Sequence, residues 1–137
     1  MLAYEDAAAA IDWLSGAFGF SEREGARFTA DDGTVTHAEL DVGDGSLLYL
    51  STPSPHYRGP RRHRETCADA ARWLDNPWVI DGLMVQVEDL DAHHERARAA
   101  GADVLRGPED AEAIGIRLYT AEDPEGHRWM FVQPLDR

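Results

Sequence analysis

The sequence predicts an α+β domain made of two tandem βαβββ units. Three observations predict it. A helical pattern closed by glycine and followed by short alternating strands occurs twice, in the same order. The landmark glycines recur as well, Gly19 with Gly101 and Gly45 with Gly126, and the two offsets differ by one residue, as a duplication of about 80 residues would leave them. Finally, 137 residues with 43% apolar side chains suffice for one domain with a real core. The expected organisation is a single domain over 1–137, with a first unit at 1–51, a connection at 52–78 and a second unit at 79–137.

In the first unit Asp6 is placed to cap a helix running to Phe18. Ile11, Leu14 and Phe18 share one face of it, and Gly19 ends it. Strands follow at 26–30 and 34–42 around an Asp31-Asp32-Gly33 turn, then Ser46 to Ser51 after Gly43-Asp44-Gly45. The unit's opening strand is cut short at the N-terminus. In the second unit Val79 to Val87 is a strand, and Asp89 or Asp91 caps a helix through Ala100. Short strands are expected at Ala102 to Arg106, Gly115 to Ala121 and His127 to Gln133, with a loop around Pro108 and a turn at Asp123-Pro124-Glu125-Gly126. Between the units, Cys67, Ala70, Ala71 and Leu74 mark one short helix, stopped by Asp75-Asn76-Pro77. A connection of this length is often functional.

Composition narrows the function classes. No apolar run approaches the roughly 20 residues of a membrane helix, and Met1–Asp6 carries neither a basic stretch nor a long apolar run, so no membrane partner and no signal peptide are expected. Cys67 is the lone cysteine, which suits a reducing cytoplasm. Thirteen basic against 26 acidic side chains leave a net charge of −13, a field that repels phosphate backbones and argues against nucleic acid as a partner. The same field suits a cationic small molecule, or simply keeps the chain soluble.

Val87-Glu88-Asp89-Leu90-Asp91-Ala92, the helix ending Ala99-Ala100-Gly101-Ala102, the turn Asp123-Pro124-Glu125-Gly126-His127 and the first helix ending Ala17-Phe18-Gly19-Phe20 together resemble the vicinal-oxygen-chelate superfamily. That superfamily contains glyoxalase I, extradiol dioxygenases, fosfomycin-resistance enzymes and bleomycin-resistance binding proteins. The resemblance spans nearly the whole chain. It implies that the paired units curl their mixed sheets into a cup for a small molecule, often completed by a second subunit, so a homodimer is expected.

Metal-dependent members place ligands at the start of each unit's first strand and in each unit's last strand. Carried onto this chain, those positions fall at Gly82, which has no side chain, at Met130, whose thioether suits hard divalent ions poorly, at Tyr49, and at or before Met1. The resemblance thus leads to no metal ligands and no cofactor. A one-residue slip turns a strand's faces over; it would bring His127 into play and leave a divalent metal open. Trp129 and Phe131 alternate with Met130 as Leu48 and Leu50 do with Tyr49, so the apolar pairs suit the helix side and Tyr49 and Met130 the cup. Gly82, Met84 and Gln86 complete the expected ligand-binding lining, with Arg117 and Tyr119 adding polar contacts from one strand face.

His37 and Glu39 share a strand face at i and i+2. They can act as a catalytic acid–base pair in a dry pocket or serve as ordinary sheet polar residues. His93-His94-Glu95 reads as a solvated helix surface, because adjacent helix residues point about 100° apart. Arg58, Arg61, Arg62 and Arg64, with His56 and His63, form a basic island that can grip an anionic substrate, dock onto an acidic partner subunit or solubilise the connection. Trp73 and Trp78 are expected in a core or a dimer contact, and Cys67 in the core. The preferred reading is a binding protein that holds a small organic molecule without a metal. The alternatives are a metal-dependent lyase, isomerase or dioxygenase with displaced ligands, and a metal-free catalyst using His37 and Glu39.

Overall fold

The computed structural model describes residues 1–75 and 82–136. In the first unit β1 (Leu2–Ala3) leads into α1 (Ala7–Phe18), then β2 (Ser21–Glu22), β3 (Phe28–Thr29), β4 (Val35–Gly43) and β5 (Ser46–Ser51). The connection holds α2 (Pro60–Thr66) and α3 (Ala68–Leu74). The second unit runs β6 (Gly82–Gln86), α4 (Leu90–Ala99), β7 (Asp103–Ala111), β8 (Ile116–Glu122) and β9 (Arg128–Pro134). One sheet has the order β1-β5-β4-β2, with β3 also on β4, and the other has β6-β9-β8-β7. In both, the unit's first strand lies parallel to its last and the other pairings are antiparallel. The repeat inferred from spacing is therefore a repeat of topology.

The helix caps repeat too. The Asp6 carboxylate accepts from the amide of Ala9 at 3.0 Å, and Asp89 accepts from Ala92 at 3.0 Å. Ile11, Leu14 and Phe18 are buried on one face of α1, as their spacing predicts. Phe18 reaches the other unit, with ring centroids 5.5 Å from Trp129 and 4.7 Å from Phe131. The Trp13 indole donates to the Ala100 carbonyl at 3.0 Å, and Arg96 donates to the carbonyls of Ser15 and Gly16. The two units thus share one continuous apolar core. Asp123 of the Asp-Pro-Glu-Gly turn, fully buried, ties them further by accepting from Tyr4 Oη at 2.8 Å and Trp129 Nε1 at 3.1 Å. Burial beside that carboxylate pushes the Tyr4 phenol far up.

Several expectations need correction. The strand expected at 26–30 shrinks to Phe28–Thr29, and the short pairing at Ser21–Glu22 carried no alternation to reveal it. β7 extends to Ala111, through the expected loop at Pro108, by means of register shifts on either side of Arg106 and a cis Gly107–Pro108 bond. Gly107 has φ +78, and a Cβ there would lie 2.5 Å from the Leu118 carbonyl oxygen, so only glycine fits. The connection forms two helices, broken at Cys67, whose extended backbone cannot continue either one. Cys67 is part-buried rather than core, and Trp73 is exposed, which removes the core alternative for it and leaves the dimer contact open. Trp78 and Val79 to Asp81 lie outside the described residues.

The basic island does not float. It clamps α2 onto acids of its own chain, a reading none of the three sequence alternatives included. Arg64 makes a bidentate pair with Glu122 at 3.0 and 3.1 Å, Arg62 meets Glu5 at 2.7 Å, and Arg61 reaches Glu122 at 3.5 Å. Gly126, at φ +92, lets the strap come close: a Cβ there would sit 2.7 Å from the Arg61 amide nitrogen.

Candidate functional site

β4 and β5 present one face to the core, through Ala38, Leu40, Leu48 and Leu50, and the opposite face outward. On that outward face His37 Nε2 lies 3.1 Å from Glu39 Oε1, and Arg23 meets the other carboxylate oxygen at 3.1 Å. Tyr49 pairs with Glu39 across the strands, and its ring centroid lies 5.3 Å from that of His37. The hydrogen bond from His37, reinforced by Arg23 against partial burial, holds the Glu39 carboxyl below the usual carboxylate range. His37 and Glu39 share this face, Tyr49 lies beside them, and Tyr49 is 41% exposed.

In the second unit Trp129 and Phe131 face the helices, which turns Met130 the other way. Met84 pairs with Met130, Gly82 with Arg128 and Gln86 with Val132, and Gly82, Met84 and Gln86 are all exposed. Arg117 and Tyr119 do share a strand face, but it is the helix face. Tyr119 pairs with Phe131 and is fully buried, while Arg117 binds Asp91 at 3.0 Å and Asp110 at 2.8 Å. Neither adds a polar contact on the face of Met130, whose cross-strand partner is the buried Thr120.

Tyr119 instead meets His93, whose Nδ1 lies 2.6 Å from its hydroxyl and whose Nε2 lies 3.1 Å from the Phe18 carbonyl. A carbonyl can only accept, so Nε2 carries the proton and Nδ1 accepts from the phenol. Burial pushes the His93 imidazole below its ordinary value, and Arg96 adds to this. The solvated-surface reading of His93 is thus overturned: it is a seam between α1, α4 and β8. Among the described residues no three of His, Cys, Asp and Glu gather closely enough to hold a metal ion.

A cavity of about 650 Å³ opens where β1 meets the start of β9, roofed by α2 and α3. Met1, Leu2, Pro60, Trp73 and Leu74 supply apolar wall. Arg58, His63, His127 and Arg128 supply the polar part, and Tyr57 also lines it. His127 Nε2 donates to the Ala3 carbonyl at 2.7 Å, which fixes its ring in the seam between the units. Arg128 is buried, paired with Glu122 at 3.2 Å and bonded to the Leu74 carbonyl of the roof. Burial raises the Glu122 carboxyl, but Arg64 and Arg128 outweigh it and hold the group below its ordinary value. Sequence reasoning missed this cavity because it depends on where the connection docks. The one available signal was the arginine cluster at near-helical spacing in an otherwise acidic chain. None of the expected ligand-binding residues lines it; the nearest in sequence is Met130, two residues beyond Arg128 on one strand face.

The comparisons agree on the lineage. The family model described as Glyoxalase/Bleomycin resistance protein/Dioxygenase superfamily matches residues 1–131. An uncharacterized protein of Mycobacterium bovis is 33% identical over 134 residues, covering 98% of this chain and 80% of its own length. The crystal structure of TioX from Micromonospora sp. ML1 is 33% identical, covers 99% of this chain and 94% of its own, and superimposes with a TM-score of 0.69. TnmS3, an antibiotic binding protein from Streptomyces sp. CB03234, shares the fold at 20% identity, with coverages of 97% and 90% and a TM-score of 0.63.

Proposed function

The chain belongs to the glyoxalase/bleomycin resistance protein/dioxygenase superfamily, and from there we propose that it binds a small organic molecule, without a metal, in the cavity under α2 and α3. One observation carries the reading. A hollow of about 650 Å³ with mostly apolar walls and a few convergent polar groups has the size and make-up of a small-molecule site. That TnmS3 binds an antibiotic on this fold supports it, though the fold serves many chemistries. Gly82, Met130 and Tyr49, at the positions where the family's metal-dependent members carry ligands, offer no hard donor set for a divalent ion. Purified protein is expected to contain no stoichiometric metal by elemental analysis, and Ni, Zn, Mn or Fe(II) to leave its melting temperature unmoved. Stoichiometric metal held through His37 or His127 would contradict the reading.

The protein works as a homodimer in this account. The outward face of the first sheet exposes Phe28 at 63%, Leu47 at 39% and Tyr49 at 41%, apolar area that a second copy would cover. Light scattering is expected to give twice the chain mass; a monomer at micromolar concentration contradicts it. The cytoplasm is the proposed setting, in keeping with a single, unpaired cysteine.

The His37–Glu39 hydrogen bond favours a second reading, metal-free acid–base catalysis on the outward face. In that case His37→Ala abolishes turnover of a bound substrate and leaves its affinity largely intact.

A further inference from the structure

Resting on the reading that the roofed cavity is the ligand site, we infer that its occupant is an aromatic molecule carrying one anionic group, such as a carboxylate or sulfonate. The overall charge of −13 points the other way, toward a cation, but the walls do not follow the overall charge. Among the described residues that line the cavity there is no carboxylate, while two guanidiniums and two imidazoles are present.

The commitments of those cations single out one of them. Arg128 is spent on Glu122 and the Leu74 carbonyl, and the His127 Nε2 proton on Ala3. Outside the lining, Arg62 and Arg64 are spent on Glu5 and Glu122. Arg58 is different. Its guanidinium donates to the Tyr57 carbonyl at 3.0 Å and forms no ion pair among the described residues. The neighbouring Glu5 carboxylate already accepts from Arg62 at 2.7 Å and from the Gly59 amide at 3.2 Å. The exposed His63 ring, on α2 just beyond Arg58, adds a second donor.

A planar guanidinium with unspent donors matches a carboxylate or sulfonate edge. Its aromatic surroundings define the rest of the guest. Trp73, 61% exposed at the roof, and Tyr57 offer ring faces, and Met1, Leu2 and Leu74 offer apolar wall. One available guanidinium argues for one anionic group.

Two probes of nearly the same shape test this: 1-anilinonaphthalene-8-sulfonate, an aromatic monoanion, and N-phenyl-1-naphthylamine, its neutral counterpart. Fluorescence titration of the full chain is expected to show one site that prefers the anion. Arg58→Gln is expected to weaken the anion about tenfold, the worth of a charge-assisted hydrogen bond, and to leave the neutral probe unmoved. Arg58 forms no ion pair among the described residues, so the variant is expected to melt as the parent does. If both probes bind equally and Arg58→Gln changes neither, the anion inference fails while the cavity reading stands. If neither probe binds, the cavity reading fails and the inference goes with it.

Discussion

Glu122→Gln tests the strap that forms the cavity's roof. Glu122 is 2% exposed and accepts both donors of Arg64, at 3.0 and 3.1 Å, and Arg128 Nε at 3.2 Å. Arg128 is itself 5% exposed. Removing the carboxylate's charge takes the Glu122 ion pair from a buried guanidinium and turns an amide hydrogen toward it. Breaking a buried pair in this way costs about 3–5 kcal/mol. At roughly 2.1 cal/mol/K per residue, a chain of this length loses about 3–4 °C of melting temperature per kcal/mol, so the variant should melt about 10–17 °C lower. Differential scanning calorimetry at neutral pH measures it, with Arg62→Gln as control, because the Arg62–Glu5 pair is solvent-exposed and should be nearly silent. If Glu122→Gln melts with the control, the reasoning that the strap is anchored by a buried ion pair is refuted.

The His93 seam gives stability a pH dependence of known sign. Its folded value is depressed, so its contribution is complete above the unfolded value of about 6.5 and is lost as pH falls from there toward the folded value, at no more than about 1.4 kcal/mol per pH unit. Urea melts between pH 7 and 5 should show the fall, and His93→Phe should remove it; an unchanged slope contradicts the assignment. Gly107→Ala adds a Cβ 2.5 Å from the Leu118 oxygen at φ +78 and should cost about 2–4 kcal/mol, whereas Gly33→Ala, with open space around it at φ +87, should cost about 1 kcal/mol. Equal melting of the two alanine variants would show that β7 relaxes around the contact.

Much of the fold was legible because it is written in local chemistry. Asp6 and Asp89 are caps by residue type and position, Gly19 closes α1 from the left-handed region, and the alternation around Tyr49 and Met130 gave the correct strand faces. Tyr119 was misplaced because Arg117 and Tyr119 offer no apolar–polar alternation to orient β8; only its register against Phe131 does. His93 looked like surface because a histidine beside another histidine and a glutamate carries no sign of the Phe18 carbonyl waiting across the seam. The cavity was illegible for a different reason. It depends on the connection docking through pairs such as Arg64 with Glu122, 58 residues away in sequence, and no local pattern encodes that pairing.

Two-dimensional amide NMR of chelator-treated protein, titrated with 1-anilinonaphthalene-8-sulfonate, tests the central claim most directly. The account predicts shifts concentrated at Gly126, His127, Trp73 and Leu74, with no need for added metal. Shifts clustered at His37 and Tyr49 instead, or appearing only after a divalent ion is restored, would contradict it.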